Sequence, residues 1–354
     1  MALMPHSSAD FCFVHAADLH LGGRRWLGST PANAALAEHV RVAELLALRR
    51  LIDLCLNEGA KLLLCVGDII DGWCQDHRVG LVLVQELLRL CEADCEVALL
   101  LGNHDVRTRV MRPLLLPVHA RVLGQQGPET RLLEPLGVAL HAWSFPDPDL
   151  HIDVASRYPP PVAGLVNIGL LHTSAEGRRG HRTYAPCSRR TLRRHGYDYW
   201  ALGHVHAREV VARQPWIVFP GNLQARGLRE TGPKGATLVR VQGGRISSVE
   251  HRALDVVRFA NIIAHTECLG HFDDVLAVAQ LSLDRATREA DGRPLIAKLV
   301  LSGVDGAACT LAVPPWQRRA AFAELTRNLR GEAWIDETWI DVGGVGSWRV
   351  DSAA

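Results

Sequence analysis

Five apolar runs of strand length, each closing on the same few polar residue types, limit what this chain can become more than any other feature. The clearest is Leu62-Leu63-Leu64-Cys65-Val66, which stops at Gly67-Asp68-Ile69-Ile70-Asp71. An apolar run ended by a turn signal reads as a buried strand with a carboxylate at its C-terminal end. Taken singly it is an ordinary turn. Four more runs end the same way: Phe11–Val14 before Asp18-Leu19-His20-Leu21-Gly22, Val97–Leu101 before Gly102-Asn103-His104-Asp105, Val166–Leu171 before His172, and Tyr199–Leu202 before Gly203-His204-Val205-His206. Ligands of α/β sheets gather outside the carboxyl ends of the strands. The pattern therefore brings Asp18, His20, Asp68, Asn103, His104, His172, His204 and His206 towards one place. Imidazole, carboxylate and amide oxygen without thiolate suit Mn2+, Fe2+ or Zn2+ in a hydrolytic centre rather than a structural zinc site.

Between these runs the period changes from two to helical. Ala34–Leu56 carries Leu36, Val40, Leu45, Leu48, Leu51 and Ile52 at helical spacing and stops at Gly59; Asp76–Cys91 repeats the pattern. Strands alternating with helices are an α/β signature. Residues 131–133 and 138–141 predict a hairpin, and Pro146–Pro161 an irregular loop. Short strands follow at 209–212, 216–219, 237–241 and 246–250, the last two joined by Gly243-Gly244. We expect two packed sheets with helices outside. Residues 1–10 read as a tail, 11–254 as one large domain, and 255–354 as a smaller β-α-β-α-β unit.

At 354 residues and 48% hydrophobic content the chain can bury a substantial core. Its net charge of +1 hides an asymmetry: 14 acidic and 10 basic residues lie from Asp255 onward, leaving 24 acidic and 29 basic residues before it. The first part thus carries the positive charge that an anionic substrate would meet. Nine scattered cysteines with no C-x-x-C pair read as reduced thiols, several of them inside strands, in a cytoplasmic protein. No signal-like N-terminus and no apolar run near the length of a membrane span is present.

The ordered set Asp-x-His, Gly-Asp-x-x-Asp, Gly-Asn-His-Asp, a lone His and Gly-His-x-His resembles the calcineurin-like metallophosphoesterases over roughly residues 11–254. Within them, Asp18–Gly22, Leu171–Ser174, Tyr197–His206 and Phe219-Pro220-Gly221-Asn222 are most similar to the SbcD/YhaO-like DNA repair nucleases. The resemblance implies an α/β fold, a four-layer αββα sandwich with a small C-terminal α/β cap. It implies two divalent metals, Mn2+ first, with Fe2+, Zn2+ or Mg2+ as alternatives. Asp18, His20, Asp68 and His206 would hold one, and Asp68, Asn103, His172 and His204 the other. Asp68 would bridge, because a shared carboxylate and hydroxide offset the repulsion of two close dications, and that hydroxide would attack phosphorus. His104 would stabilise the transition state or protonate the leaving oxygen, with Asp105 orienting it. Many SbcD-type members have histidine where this chain has Asp71, which would either hold a metal-bound histidine or cap its turn. His15 is expected to support the site, and His141 to belong to the core or surface.

The implied activity is an exonuclease or endonuclease acting in DNA repair, with small phosphoesters or cyclic nucleotides, or a non-catalytic scaffold role, as alternatives. Gly177–Tyr197 favours DNA: it contains Arg178, Arg179, Arg182, Arg189, Arg190, Arg193 and Arg194 and no acid until Asp198, as phosphate contacts require. Arg24, Arg25, Arg107, Arg109 and Arg112 also follow motif residues, and Trp26 and Tyr184 are candidates for base stacking. Expected partners are DNA, an SMC-like coiled-coil ATPase through the acidic C-terminal unit, and a second copy of the chain. The short stretch beyond the last expected strand leaves little room for a long docking helix.

Overall fold

Alternation along the strands dictates the layering. The computed structural model describes residues 10–23, 34–175, 185–328, 333–341 and 347–350. In β2 (Leu62–Val66) all five residues are buried, with Leu62, Leu64 and Val66 in one core cluster and Leu63 and Cys65 on the opposite face. A strand apolar on both faces must be covered twice. One cover is a second sheet, the other a layer of helices.

The first sheet has the order β12-β11-β1-β2-β3-β4. It comprises β1 (Phe11–Ala16), β2, β3 (Glu96–Leu100), β4 (Ala120–Val122), β11 (Gly235–Gln242) and β12 (Arg245–Ala253). β1 to β4 run parallel, while β11 returns antiparallel along β1 and pairs with β12 through the Gly243-Gly244 turn. The second sheet has the order β5-β6-β7-β8-β10-β9. Its strands are β5 (Glu129–Leu133), β6 (Val138–Ala142), β7 (Val166–His172), β8 (Tyr199–Gly203), β9 (Glu209–Arg213) and β10 (Trp216–Phe219), with β6, β7, β8 and β10 parallel. Phe13, Leu62, Leu64 and Val66 from the first sheet meet Leu140, Ile168, Leu170 and Tyr199 from the second in one continuous core.

Helices α1 (Ala34–Asn57) and α2 (His77–Glu92) belong to the crossovers of the first sheet. Asp76 caps α2 by accepting from Arg78 N, and Leu83, Leu87 and Leu90 form its buried stripe. The outer face of the second sheet (Leu171, Trp200, Leu202, Ile217, Phe219) packs with Tyr158 and with Leu192 of the short helix α4 (Arg189–Arg194), which follows the five-residue α3 (Asn103–Arg107) in the chain. The result is the expected helix–sheet–sheet–helix sandwich.

By internal contacts the chain forms two units, one built on the N-terminal strand, Glu44–Gln224 and Lys234–Leu254, the other on the start of α1, Ala225–Pro233 and the chain from Asp255 onward. The second unit has a four-stranded sheet, β13 (Arg258–His265), β14 (Leu295–Ser302), β15 (Ala333–Asp341) and β16 (Ser347–Val350), of which only β16 is antiparallel to its neighbour. Its helices are α5 (Phe272–Glu289), α6 (Val304–Ala312) and α7 (Pro315–Asn328). The sequence reading missed α6 and β16. Glycines at 303 and 306 and the short apolar content around Trp348 leave no periodic signal there. A buried ion cluster ties the start of this unit together: the Asp255 carboxylate accepts from Arg258 at 2.9 and 3.0 Å and lies 3.2 Å from Arg293.

All nine cysteines are free thiols. Burial pushes Cys65 and Cys95 up to about 12, which keeps both as unreactive thiols near neutral pH. Among the described residues no helix is long and apolar enough to cross a membrane.

Candidate metal centre

The parallel strands β1, β2 and β3 end beside β7 and β8 of the facing sheet, so their C-terminal residues share one space. Reaching it distorts the backbone. Asp18 (φ 52°), His20 (45°), Asp68 (52°) and His204 (94°) all lie in the left-handed region, which side chains other than glycine rarely occupy and which costs roughly 1 kcal/mol or more each. Such strain persists only where the surroundings hold it.

The sheets also approach closely here. Gly67 sits at φ 80°, and a Cβ on it would lie 2.1 Å from His172 Nδ1. A Cβ on Gly203 would lie 1.9 Å from Val66 O and 2.8 Å from His172 Nδ1. That closeness lets His172 Nδ1–H donate to Val66 O at 3.0 Å and turns Nε2 towards Asp68. Gly203→Ala is therefore expected to lower stability by ~3 kcal/mol or more, read as a drop in the urea midpoint; an unchanged midpoint would contradict the close packing.

Two fully buried groups of ligand atoms result, joined by a third, overlapping group of His20, Asp68 and the half-buried His104. In the first, Asp18, His20 and His206 converge: His20 Nε2 is 3.2 Å from His206 Nε2, and His206 Nε2 is 3.8 Å from Asp18 Oδ1. In the second, Asp68, His172 and His204 converge, with His172 Nε2 3.4 Å from Asp68 Oδ2. Asp68 Oδ2 also lies 3.8 Å from His20 Nε2, so one carboxylate oxygen faces both groups. Its other oxygen accepts from His104 N at 2.8 Å, and Asp18 is held by His204 N at 2.9 Å.

These residues fit divalent cations. Asn103 Oδ1 is buried and has no hydrogen-bond partner, and a buried acceptor left unmet costs about 1–3 kcal/mol. The charges agree. Burial pushes the Asp68 carboxyl up, but the imidazoles of His172, His20 and His104 outweigh it and hold Asp68 well below the usual carboxylate range. Burial pushes His172 down, yet Asp68 and Asp18 raise it to about 9. Burial raises Asp18, with His206 and His172 opposing. The protonated His172 imidazole thus supplies positive charge that a cation would supply in its place.

The expectation for Asp105 is corrected. Its Oδ1 accepts from Ile70 N and its Oδ2 from Gly102 N, both at 2.9 Å, so it braces the backbone around Asn103 instead of orienting His104. Burial, then Asp68, lift its carboxyl to about 7. The carboxylate facing His104 is that of Asp71, whose Oδ2 lies 3.5 Å from His104 Nδ1 and 3.3 Å from His20 Nδ1, while its Oδ1 accepts from Trp73 N at 3.0 Å. Asp71 thus faces His20 and also closes its own turn. Gly72 N donates to His104 Nδ1 at 3.0 Å, a contact with no side-chain signal in the sequence. The His104 side chain is 22% exposed, whereas those of His20, Asp68 and His172 are 3% or less. His104 therefore marks where this centre opens to solvent.

His15 bonds Tyr199 Oη and Leu202 O, each at 3.1 Å, linking β1 to the strand that leads to His204. Burial lowers it to about 3, so it stays neutral. His141 is a core residue, bonded to Thr130 and Asn167 and stacked on Tyr197. Arg189, Arg190, Arg193 and Arg194 stand exposed on α4, and Arg107 pairs with Asp149 at 3.3 Å. Arg24, Arg25, Trp26, Arg178, Arg179, Arg182 and Tyr184 lie outside the described residues.

The profile of the calcineurin-like phosphoesterases matches residues 12–208. The chain is 31% identical over 299 residues to an uncharacterized metallophosphoesterase, YhaO of Bacillus subtilis (strain 168), covering 83% of this chain and 72% of that one. The solved structure of TT1561 of Thermus thermophilus aligns with a TM-score of 0.40 and 13% identity, over 69% of this chain and 99% of that one. A sandwich whose strand ends gather two Asp/His groups around a shared carboxylate is the working part of a metal-dependent phosphoester hydrolase. This chain belongs to the calcineurin-like phosphoesterase family, whose members bind divalent metal ions.

Proposed function

We propose that the protein is a nuclease that hydrolyses DNA phosphodiesters with two divalent ions, Mn2+ foremost, held by Asp18, His20, Asp68 and His206 and by Asp68, Asn103, His172 and His204. The observation that carries the substrate class is α4, which exposes four arginines in six residues with no acid among them. Guanidinium groups fit phosphate oxygens in pairs, and a row of them tracks a polyanionic backbone better than one small ester.

The metal ions, when bound, polarise the phosphoryl group and make a hydroxide available near neutral pH. The chain's own residues do the rest. Asp68 presents one oxygen to both groups while His104 N fixes the other, so the carboxylate cannot swing away. His104, at the open end, would give a proton to the departing oxygen. Asp71 lies on the Nδ1 side of its ring, so a protonated His104 would turn Nδ1–H to that carboxylate and give up the proton on Nε2.

The test is cleavage of end-labelled single- and double-stranded DNA with Mn2+, Mg2+ or EDTA, beside hydrolysis of 4-nitrophenyl phosphate esters. Metal-dependent DNA cleavage supports the reading; turnover of small esters far above that of DNA moves the substrate to small phosphoesters; neither activity leaves a scaffold. Replacing Arg189, Arg190, Arg193 and Arg194 by alanine is expected to weaken duplex DNA binding uniformly across sequences. The slope of log K against log salt should shrink by ~0.9 for each arginine–phosphate pair removed, with small-ester turnover unchanged. An unaltered salt slope would remove α4 from the DNA path.

A further inference from the structure

Trp73 is 77% exposed, although an indole gains more from burial than almost any other side chain. It belongs to none of the core clusters and makes no side-chain hydrogen bond or ring contact among the described residues. Its backbone, in contrast, is clamped. Trp73 N donates to Asp71 Oδ1 at 3.0 Å, Gly72 N to His104 Nδ1 at 3.0 Å, and Cys74 N to Asp71 O at 2.9 Å. From the other side Thr108 Oγ1 donates to Cys74 O at 3.0 Å, and a Cβ on Gly72 would lie 3.3 Å from Arg107 Cβ. Gly72 and Trp73 are thus fixed to the imidazole and the carboxylate at the open end of the centre, and Cys74 to the Asp71 backbone carbonyl and the Thr108 hydroxyl. A rigid turn that spends its one aromatic side chain on solvent is arranged to meet something flat from outside.

We propose that Trp73 is the stacking platform for the nucleobase next to the scissile phosphodiester, which makes it a determinant of preference for nucleic acid over small phosphoesters. The proposal rests on the nuclease reading above. Trp73 directly follows Gly72, whose amide holds His104, their Cα atoms about 3.8 Å apart, so a base stacked on the indole would seat its own phosphate near that imidazole. Stacking is tolerant of base identity because every base has a π face. The enzyme would therefore select for the presence of a base, not for its sequence. The indole works by holding substrate, not by moving protons.

The test compares wild type with Trp73→Ala, Trp73→Phe and Trp73→Leu on a single-stranded oligothymidylate and on an oligomer of equal length built from abasic tetrahydrofuran units. For the thymidylate, Trp73→Ala and Trp73→Leu should lower kcat/KM roughly 10- to 100-fold, mainly through KM, and Trp73→Phe should recover most of the loss. On the abasic oligomer all four proteins should agree within about twofold, which also controls for folding and metal content. Equal losses on both oligomers, no loss on the thymidylate, or full activity in Trp73→Leu would overturn the platform while leaving the nuclease reading intact. A wild type that hydrolyses small esters but no oligonucleotide would overturn the nuclease reading, and the platform with it.

Discussion

Asp68→Asn is expected to cost the protein both metal ions at once and to lower phosphoester hydrolysis by ~10³-fold or more. Asp68 Oδ2 is the one carboxylate oxygen facing both groups, 3.8 Å from His20 Nε2 and 3.4 Å from His172 Nε2. The amide is nearly isosteric and can still accept from His104 N, so the local turn should survive. What disappears is the negative charge that offsets two neighbouring dications, and among the described residues no other carboxylate is shared by the two groups. Asp18→Asn is the contrast: Asp18 belongs only to the group of His20 and His206, so that variant should keep about one ion per chain. Metal content by plasma mass spectrometry, beside the rate, separates the two. Asp68→Asn protein that still carried two ions would sink the shared-ligand assignment.

The second large effect belongs to His104. His104→Ala should retain both ions, because the two fully buried groups (Asp18, His20 and His206; Asp68, His172 and His204) hold together without its imidazole even though it also neighbours His20 and Asp68, yet lose ~10²–10⁴-fold in kcat on DNA. The loss should depend on the leaving group. A deoxyribose oxygen is a poor leaving group and needs the proton; 4-nitrophenolate departs readily without it. Hydrolysis of bis(4-nitrophenyl) phosphate should therefore fall much less than hydrolysis of DNA in the same variant. Equal losses on the two substrates would mean that His104 stabilises charge on the phosphoryl group and donates no proton to the leaving oxygen.

The His104 surroundings show where reading along a chain runs out. Asp105 is the next residue, and chemical habit pairs a carboxylate with a neighbouring imidazole. Residues i and i+1 on a helix do not face each other, however, and both belong to α3. Asp105 turns back to Ile70 N and Gly102 N, and the ring is met by Asp71 from the turn after β2. The sequence separation of 33 residues between Asp71 and His104 is closed only because β2 and β3 are parallel neighbours whose C-terminal ends lie side by side. Trp73 makes the same point. As a letter it is an aromatic that ought to be core; its 77% exposure is a property of the turn that carries it.

What the amino-acid order determined by itself was local and chemical. Apolar runs with glycine, aspartate, asparagine and histidine at their ends announced buried parallel strands and a mixed nitrogen–oxygen donor set, because burial periodicity and turn chemistry are written within a few residues. The tertiary structure decided how those ends meet. It set two sheets close enough for His172 to reach Val66 O, and it forced Asp18, His20, Asp68 and His204 into left-handed backbone. It also let one oxygen of Asp68 face both groups. Those are distances between residues far apart in the chain. They follow from the packing of whole layers, which no single stretch of sequence contains.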